Sequence, residues 1–342
     1  MTASQQKFLI GLAAGAAAVL AGSRLVRNRH AMEFAGRVVL ITGGSRGLGL
    51  VIARQLAAEG ARLVLLARDD GELDRARRLL EEESGADVTT IRCDIRRRAD
   101  VRSAIARLFE KFSAVDVLIN NAGVIQVGPV DHMKLEDYEN AMATHFWGPL
   151  HLILELVPSM QRRGFGRIVN ITSLGGRIAV PHLAPYCASK FALVGLSDAL
   201  RAELDRYGIR VTTVSPGLMR TGSPMNAQVK GKHQAEYAWF AISDSLPGLS
   251  TSAENAARQI LTACRFGDPE LTITLPARVA AMANELAPAA VARAMMLVNR
   301  MLPGPTGPEG DHQKRGRESE SKWAPSFATT LTDRAAVLNN EV

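Results

Sequence analysis

RVVLITGGSRGLGLVIARQLAAEG, residues 37–60, decides the fold. An apolar, β-branched run (Arg37–Ile41) ends in Thr42-Gly43-Gly44-Ser45-Arg46-Gly47-Leu48-Gly49, and helical periodicity follows at once. A glycine triplet gains meaning when it joins a strand to a helix. Glycines at 43, 47 and 49 permit a tight turn, let backbone approach a pyrophosphate, and let the helix pack closely on the strand. The free N–H groups and partial positive charge of the helix start then favour phosphate. Thr42, Gly43, Ser45, Arg46, Gly47, Leu48 and Gly49 are therefore candidate cofactor-binding residues.

Outward from this stretch, short apolar runs alternate with amphipathic ones. Strands are predicted at Arg37–Ile41, Arg62–Leu66, Val88–Arg92, Val115–Ile119, Arg167–Ile171, Arg210–Val214 and Leu271–Thr274. Helices are predicted at Leu48–Glu59, Gly71–Ser84, Ala99–Phe112, Leu135–Arg163 and Tyr186–Tyr207. Apolar strands alternating with helices imply a parallel sheet covered on both faces. The fold class is α/β: a Rossmann-type doubly wound parallel sheet of about seven strands, in one domain over residues 36–275.

The spacing TGxxxGxG resembles that of the short-chain dehydrogenase/reductase family, and the resemblance runs from roughly Arg37 to Thr274. Cys93-Asp94-Ile95 after the third strand extends it, and implies that Asp94, with Ile95 beside it, meets the adenine. Asn120-Asn121-Ala122-Gly123 matches the family's NNAG, so Asn121, Ala122 and Gly123 are expected to border the cofactor. Ser215-Pro216-Gly217 with Thr221 matches the loop that meets the nicotinamide carboxamide, which marks Pro216, Gly217 and Thr221.

Tyr186 and Lys190 lie four residues apart on a predicted helix, so they share a face. A phenol titrates near 10 when unperturbed, and a neighbouring cation favours its ionised form. Tyr186 is then the expected general acid/base, Lys190 its partner and the ribose ligand, and Ser173, thirteen residues earlier, the donor that orients the substrate oxygen. Where the family carries Asn on its fourth helix, this chain has His145. Two readings stay open there: an added titrating group, or a replacement with a packing duty.

The second strand ends in Ala67-Arg68, without the acid that an NAD site uses on the ribose hydroxyl. Arg68 and Arg46 suit a 2′-phosphate, so NADP(H) is the expected cofactor. Asp69 and Asp70 keep NAD(H) as the alternative. The resemblance implies an oxidoreductase moving hydride between nicotinamide and a small-molecule carbonyl or secondary alcohol. The rival function is a non-catalytic nucleotide-binding or membrane-associated scaffold with the same fold. Homodimers or homotetramers through the fourth and fifth helices are what the family implies.

Composition narrows the field further. The chain has 342 residues, 47% hydrophobic and 22% charged, with a net charge of +7. Five basic residues against one acidic lie in residues 1–37, which leaves no clustered basic face for nucleic acid. Three cysteines without CxxC spacing exclude a zinc or disulfide framework; no metal is expected. Residues 1–35 form a separate hydrophobic segment and basic arm. Its uncharged core, residues 8–23, would span about 24 Å as a helix, against a hydrocarbon core of about 30 Å. Membrane association through residues 8–30 with a cytoplasmic catalytic domain is one reading; a frayed surface helix and an exported signal segment are the others. Residues 217–250, rich in Met, Tyr, Trp and Phe, read as a substrate-covering loop. Residues 276–302 read as one amphipathic helix, and 303–342 as a disordered tail.

Overall fold

In a computed structural model of the chain, the described residues are 27–341 apart from 247, 322, 327 and 328. The apolar segment 8–23 lies outside them, so its three readings stand as expectations. Among the described residues no helix is long and apolar enough to cross a membrane.

Seven parallel strands form the central sheet: β1 Val38–Thr42, β2 Arg62–Ala67, β3 Val88–Arg92, β4 Val117–Asn120, β5 Gly166–Ile171, β6 Ile209–Pro216 and β7 Glu270–Ile273. Their order across the sheet is β7-β6-β5-β4-β1-β2-β3. The chain therefore reverses its direction of travel between β1 and β4. In open α/β sheets a ligand crevice lies at that switch point, beyond the carboxyl ends of the strands. Strand β1 carries five buried residues in a row, as a strand covered on both faces must.

Helices cover both faces. On one side lie α1 (Gly47–Ala58), α2 (Asp70–Ser84) and α8 (Ala253–Phe266), whose Leu50, Leu56, Leu73, Leu80 and Ile260 share a core with Val39, Ile41, Leu63 and Leu65. On the other lie α3 (Arg98–Lys111), α5 (Gly148–Arg163) and α6 (Ala184–Leu204), which pack Ile105, Leu108, Leu152, Leu156 and Leu204 against Leu40, Val64, Leu118 and Ile168. Helix starts are capped where the sequence offers a short polar side chain. Asp69 accepts the Glu72 N–H at 2.8 Å, and Ser252 accepts that of Asn255 at 3.2 Å.

Four expectations need correction. The predicted helix Leu135–Arg163 is α4 (Leu135–Met142), a π-helical turn over Ala143–Trp147, and then α5. Residues 217–250 are not a loop but hold α7 (His233–Ser245) and short strands at Leu218–Arg220 and Gln228–Val229. Residues 276–302 are two helices, α9 (Leu275–Leu286) and α10 (Pro288–Met301), because Pro288 cannot continue the first. The tail expected to be disordered also folds back, ending in α11 (Thr330–Leu338). Composition gave no sign of this, since a polar segment acquires structure by docking on the domain rather than from its own core.

Candidate active site

The glycine turn is locked to the strand beside it. Thr42 Oγ1 accepts the N–H groups of Asn121 and Ala122 at 2.9 and 3.0 Å, while Asn121 Nδ2 donates to the carbonyls of Thr42 and Gly43 at 3.0 and 3.2 Å. A Cβ on Gly49 would stand 2.1 Å from the Gly43 carbonyl oxygen, so only glycine fits there. Gly47 holds φ +56°, which turns its N–H toward the crevice at the start of α1. These features form a cradle of backbone donors whose glycines carry no side chains of their own, and they suit a dinucleotide pyrophosphate.

The next strand extends the same bracing. Asn120 donates to Asn170 Oδ1, and Asn170 to Ser197 Oγ, each at 2.8 Å and all buried. This chain ties β4, β5 and α6 together, so the ends of β4 and β5 are held in a fixed relation to the body of α6.

Ser173 follows β5, and Tyr186 and Lys190 lie one turn apart at the start of α6, so the structure brings the three together. The Lys190 Nζ sits 5.6 Å from the Tyr186 ring centroid and donates to the Ile171 carbonyl at 2.9 Å. Burial lowers the Lys190 ammonium to about 7. Burial also raises the Tyr186 phenol above its ordinary value, and the adjacent Ser173 hydroxyl offsets only part of that rise. Without a bound nucleotide, burial thus governs both groups, disfavouring the phenolate and the ammonium alike.

His145 is corrected as a titrating group. Its Nε2 accepts the Val124 N–H at 3.1 Å, which leaves Nδ1 to donate to Ser189 Oγ at 2.7 Å, and Ser189 donates on to the Tyr186 carbonyl at 2.8 Å. Both ring nitrogens are committed, and burial holds the imidazole well below its ordinary pKa. The ring meets Tyr186 edge-on at 5.5 Å, so it braces the start of α6 from the π-helical turn.

At the other end of the crevice, Arg46 is paired with Glu72 at 2.9 Å, and Ser45 Oγ donates to the same carboxylate at 2.9 Å. Arg68 is exposed at the end of β2. The acids that kept NAD open are occupied: Asp69 caps α2, and Asp70 pairs with Arg92 at 3.6 Å. Asp94, beside Ile95, is held by Arg96 at 2.6 Å, which keeps its carboxyl below the usual range despite burial. Beyond β6, the Gly217 N–H donates to Ile273, and Thr221 Oγ1 donates to Ser223 Oγ at 2.7 Å.

Apolar side chains surround the phenol: Val127, Leu183, Cys187, Val229 and Phe240 pack with Tyr186 and Trp239. Helix α7 is fastened over this region by buried Glu236, which accepts from His182 Nδ1 at 2.9 Å and from Trp239 Nε1 at 2.7 Å. One turn past Phe240, buried Asp244 adds a carboxyl that burial raises to about 8. The sequence reading missed Glu72, Ser189 and Asp244, and it missed Asn339, Asn340 and Glu341, which reach the glycine turn from the far end of the chain. Only the acidic residues had even a chemical signal, and nothing local placed them. Among the described residues no group of side chains could hold a metal.

A sequence model described as short chain dehydrogenase matches residues 37–233. The zebrafish (Danio rerio) protein named dehydrogenase/reductase SDR family member 7B is 35% identical over 258 residues, 74% of this chain and 82% of that one. Among solved structures, L-sorbose reductase from Gluconobacter frateurii, complexed with NADPH and L-sorbose, superposes with a TM-score of 0.64 at 26% identity, covering 71% of this chain and 97% of that one. A gluconate 5-dehydrogenase from Burkholderia cenocepacia, in complex with NADP and tartrate, gives 0.63 at 28% identity over 74% and 98%.

Proposed function

The chain belongs to the short-chain dehydrogenase/reductase family of oxidoreductases, and from that premise we propose that it is an NADP(H)-dependent reductase of apolar carbonyl compounds. The observation that carries this reading is the convergence of Ser173, Tyr186 and Lys190 at the carboxyl ends of the sheet, one strand from a glycine cradle shaped for pyrophosphate. Gly43, Gly47, Leu48 and Gly49 would hold the pyrophosphate, Asp94 and Ile95 the adenine, Lys190 the nicotinamide ribose, and Pro216, Gly217 and Thr221 the carboxamide. Nicotinamide supplies or accepts hydride when bound. Exposed Arg68 suits a 2′-phosphate, and the solved relatives that hold NADPH or NADP support the same preference.

The chain's own residues handle the proton. A phenol raised by burial stays protonated at neutral pH, so Tyr186 is poised to donate to a carbonyl oxygen as that oxygen gains charge. Ser173 orients the same oxygen. For the reverse transfer, the Lys190 cation would favour the phenolate once a cofactor is bound. The apolar wall of Leu183, Cys187 and Phe240 favours an apolar substrate and excludes water from the transfer. NADPH consumption against a panel of apolar ketones and aldehydes tests the reaction class. Tyr186→Phe is expected to lower kcat by about 10²–10⁴-fold, the range of general acid catalysis, while NADPH still binds. Unchanged turnover in that variant would refute the assignment.

A further inference from the structure

The cradle that suits a pyrophosphate is contacted by another part of this chain. Past α11, the Asn339 carbonyl accepts the Gly47 N–H at 2.8 Å. Asn340 Nδ2 donates to the carbonyls of Ser45 and Glu72 at 2.9 and 3.3 Å, and its Oδ1 accepts from Arg75 at 2.8 Å. Arg54 on α1 donates to the Leu338 carbonyl and to Asn339 Oδ1 at 3.1 and 3.2 Å. Glu341 then crosses the crevice. Its Oε1 lies 3.0 Å from where a Cβ on Gly47 would be, and its Oε2 accepts the Gly222 N–H at 2.5 Å on the opposite wall. Only 8% of Glu341 is exposed.

The chemistry of these contacts is that of an anion site. A carbonyl oxygen takes the Gly47 N–H at the start of a twelve-residue helix, where a phosphate would otherwise take it, and a carboxylic side chain lies against the same glycine. The two ligands cannot share the space. We propose that residues 339–341 are a built-in competitor of the dinucleotide, so that NADP(H) enters only as this segment leaves.

The hold on the segment is light enough for such exchange. Of the nine residues of α11, only Thr332 and Ala336 are buried, while Leu331, Val337 and Leu338 are 42%, 65% and 66% exposed. It is tied to the domain by a 2.5 Å contact between Thr332 Oγ1 and Ser245 Oγ on α7. A helix with so little buried apolar area opens at small free-energy cost. Undocking would also free the Gly222 loop, which lies between the glycine turn and α7, so access to cofactor and to the substrate wall would be coupled.

The inference rests on the nucleotide reading above, and its test separates the two. NADPH is titrated calorimetrically into the full chain and into the full-length double variant Asn340→Ala/Glu341→Ala. A site that is free a fraction f of the time shows a dissociation constant weakened by 1/f. If the segment is docked nine-tenths of the time, the double variant binds NADPH about tenfold more tightly. In the unsubstituted chain, NADPH is expected to raise amide exchange across 330–341 while protecting 43–50. Equal affinity, or weaker binding by the variant, overturns the competitor and makes the segment a neutral or supporting strap. Absence of NADPH binding by both proteins would sink the nucleotide reading itself, and this inference with it.

Discussion

The two ends of the crevice are secured in different ways. At the Tyr186 end, the bracing groups belong to the sheet and the helices packed on it: Asn120, Asn170 and Ser197 in one buried line, and Val124, His145 and Ser189 in another. At the glycine turn, the strand-side latch of Thr42 and Asn121 is equally internal, but the open side is closed by residues almost 300 positions downstream. The first end is fixed by groups that also hold the core, so it cannot relax without loss of stability. The second end combines a rigid cradle with a removable cover. A preorganised proton-transfer end and an exchangeable binding end suit an enzyme whose cofactor has to come and go.

That contrast can be broken most severely at Gly49. A methyl there would meet the Gly43 carbonyl at 2.1 Å and Asn121 Nδ2 at 2.6 Å, the first of them backbone and the second pinned by its bonds to the carbonyls of Thr42 and Gly43. Gly49→Ala is expected to abolish measurable NADPH binding and to cost about 1–3 kcal/mol of stability, the usual range for overpacking. Calorimetry and thermal melting check both. Wild-type affinity in this variant would mean that the rigid cradle is not what secures the binding end. A smaller effect is expected at Arg68. One charge-assisted contact contributes about 1.5–3 kcal/mol, so Arg68→Ala should reduce the preference for NADPH over NADH by roughly ten- to a hundredfold. Arg46→Ala should change it less, because Glu72 already engages that guanidinium at 2.9 Å. The reverse order would shift the 2′-phosphate to Arg46.

What the sequence made legible follows the same division. The seven strands, the glycine turn and the Ser173–Tyr186–Lys190 set depend on local pattern and spacing, and the structure brings them together at the switch point. His145 was visible as a departure, but its duty depended on Val124 and Ser189, partners 21 and 44 residues away. Residues 303–341 were illegible for a physical reason. The last of them, 339–341, are held by polar contacts to Gly47, Ser45, Glu72 and Gly222, and hydrogen bonds to backbone leave no hydrophobic periodicity to read. The reverse failure is at α9 and α10. Their pattern announces an amphipathic helix, yet no residue of α10 is buried, and Leu286 and Met301 are 82% and 86% exposed.

The smallest effect is also the most discriminating, because it concerns the cover alone. Burial pushes the docked Glu341 carboxyl up to about 7 from its ordinary 4.5, with Glu72 adding to the rise and Arg46 and the Gly222 N–H opposing it. The docked form therefore holds its proton more tightly than the free segment does. Docking is then at full strength below about 4.5 and is lost as pH rises through about 7. Competition should weaken in the same direction, so NADPH ought to bind the unsubstituted chain more tightly at pH 8 than at pH 6. Lys190 and the cofactor's 2′-phosphate also titrate in this range, so the quantity to follow is the ratio of dissociation constants between wild type and Glu341→Gln, which shares those groups. Glutamine stays neutral throughout, and the ratio is expected to fall by up to about tenfold between pH 6 and pH 8. A ratio that rises with pH would show the carboxylate docking in its ionised form, with the helix dipole and Arg46 prevailing over desolvation.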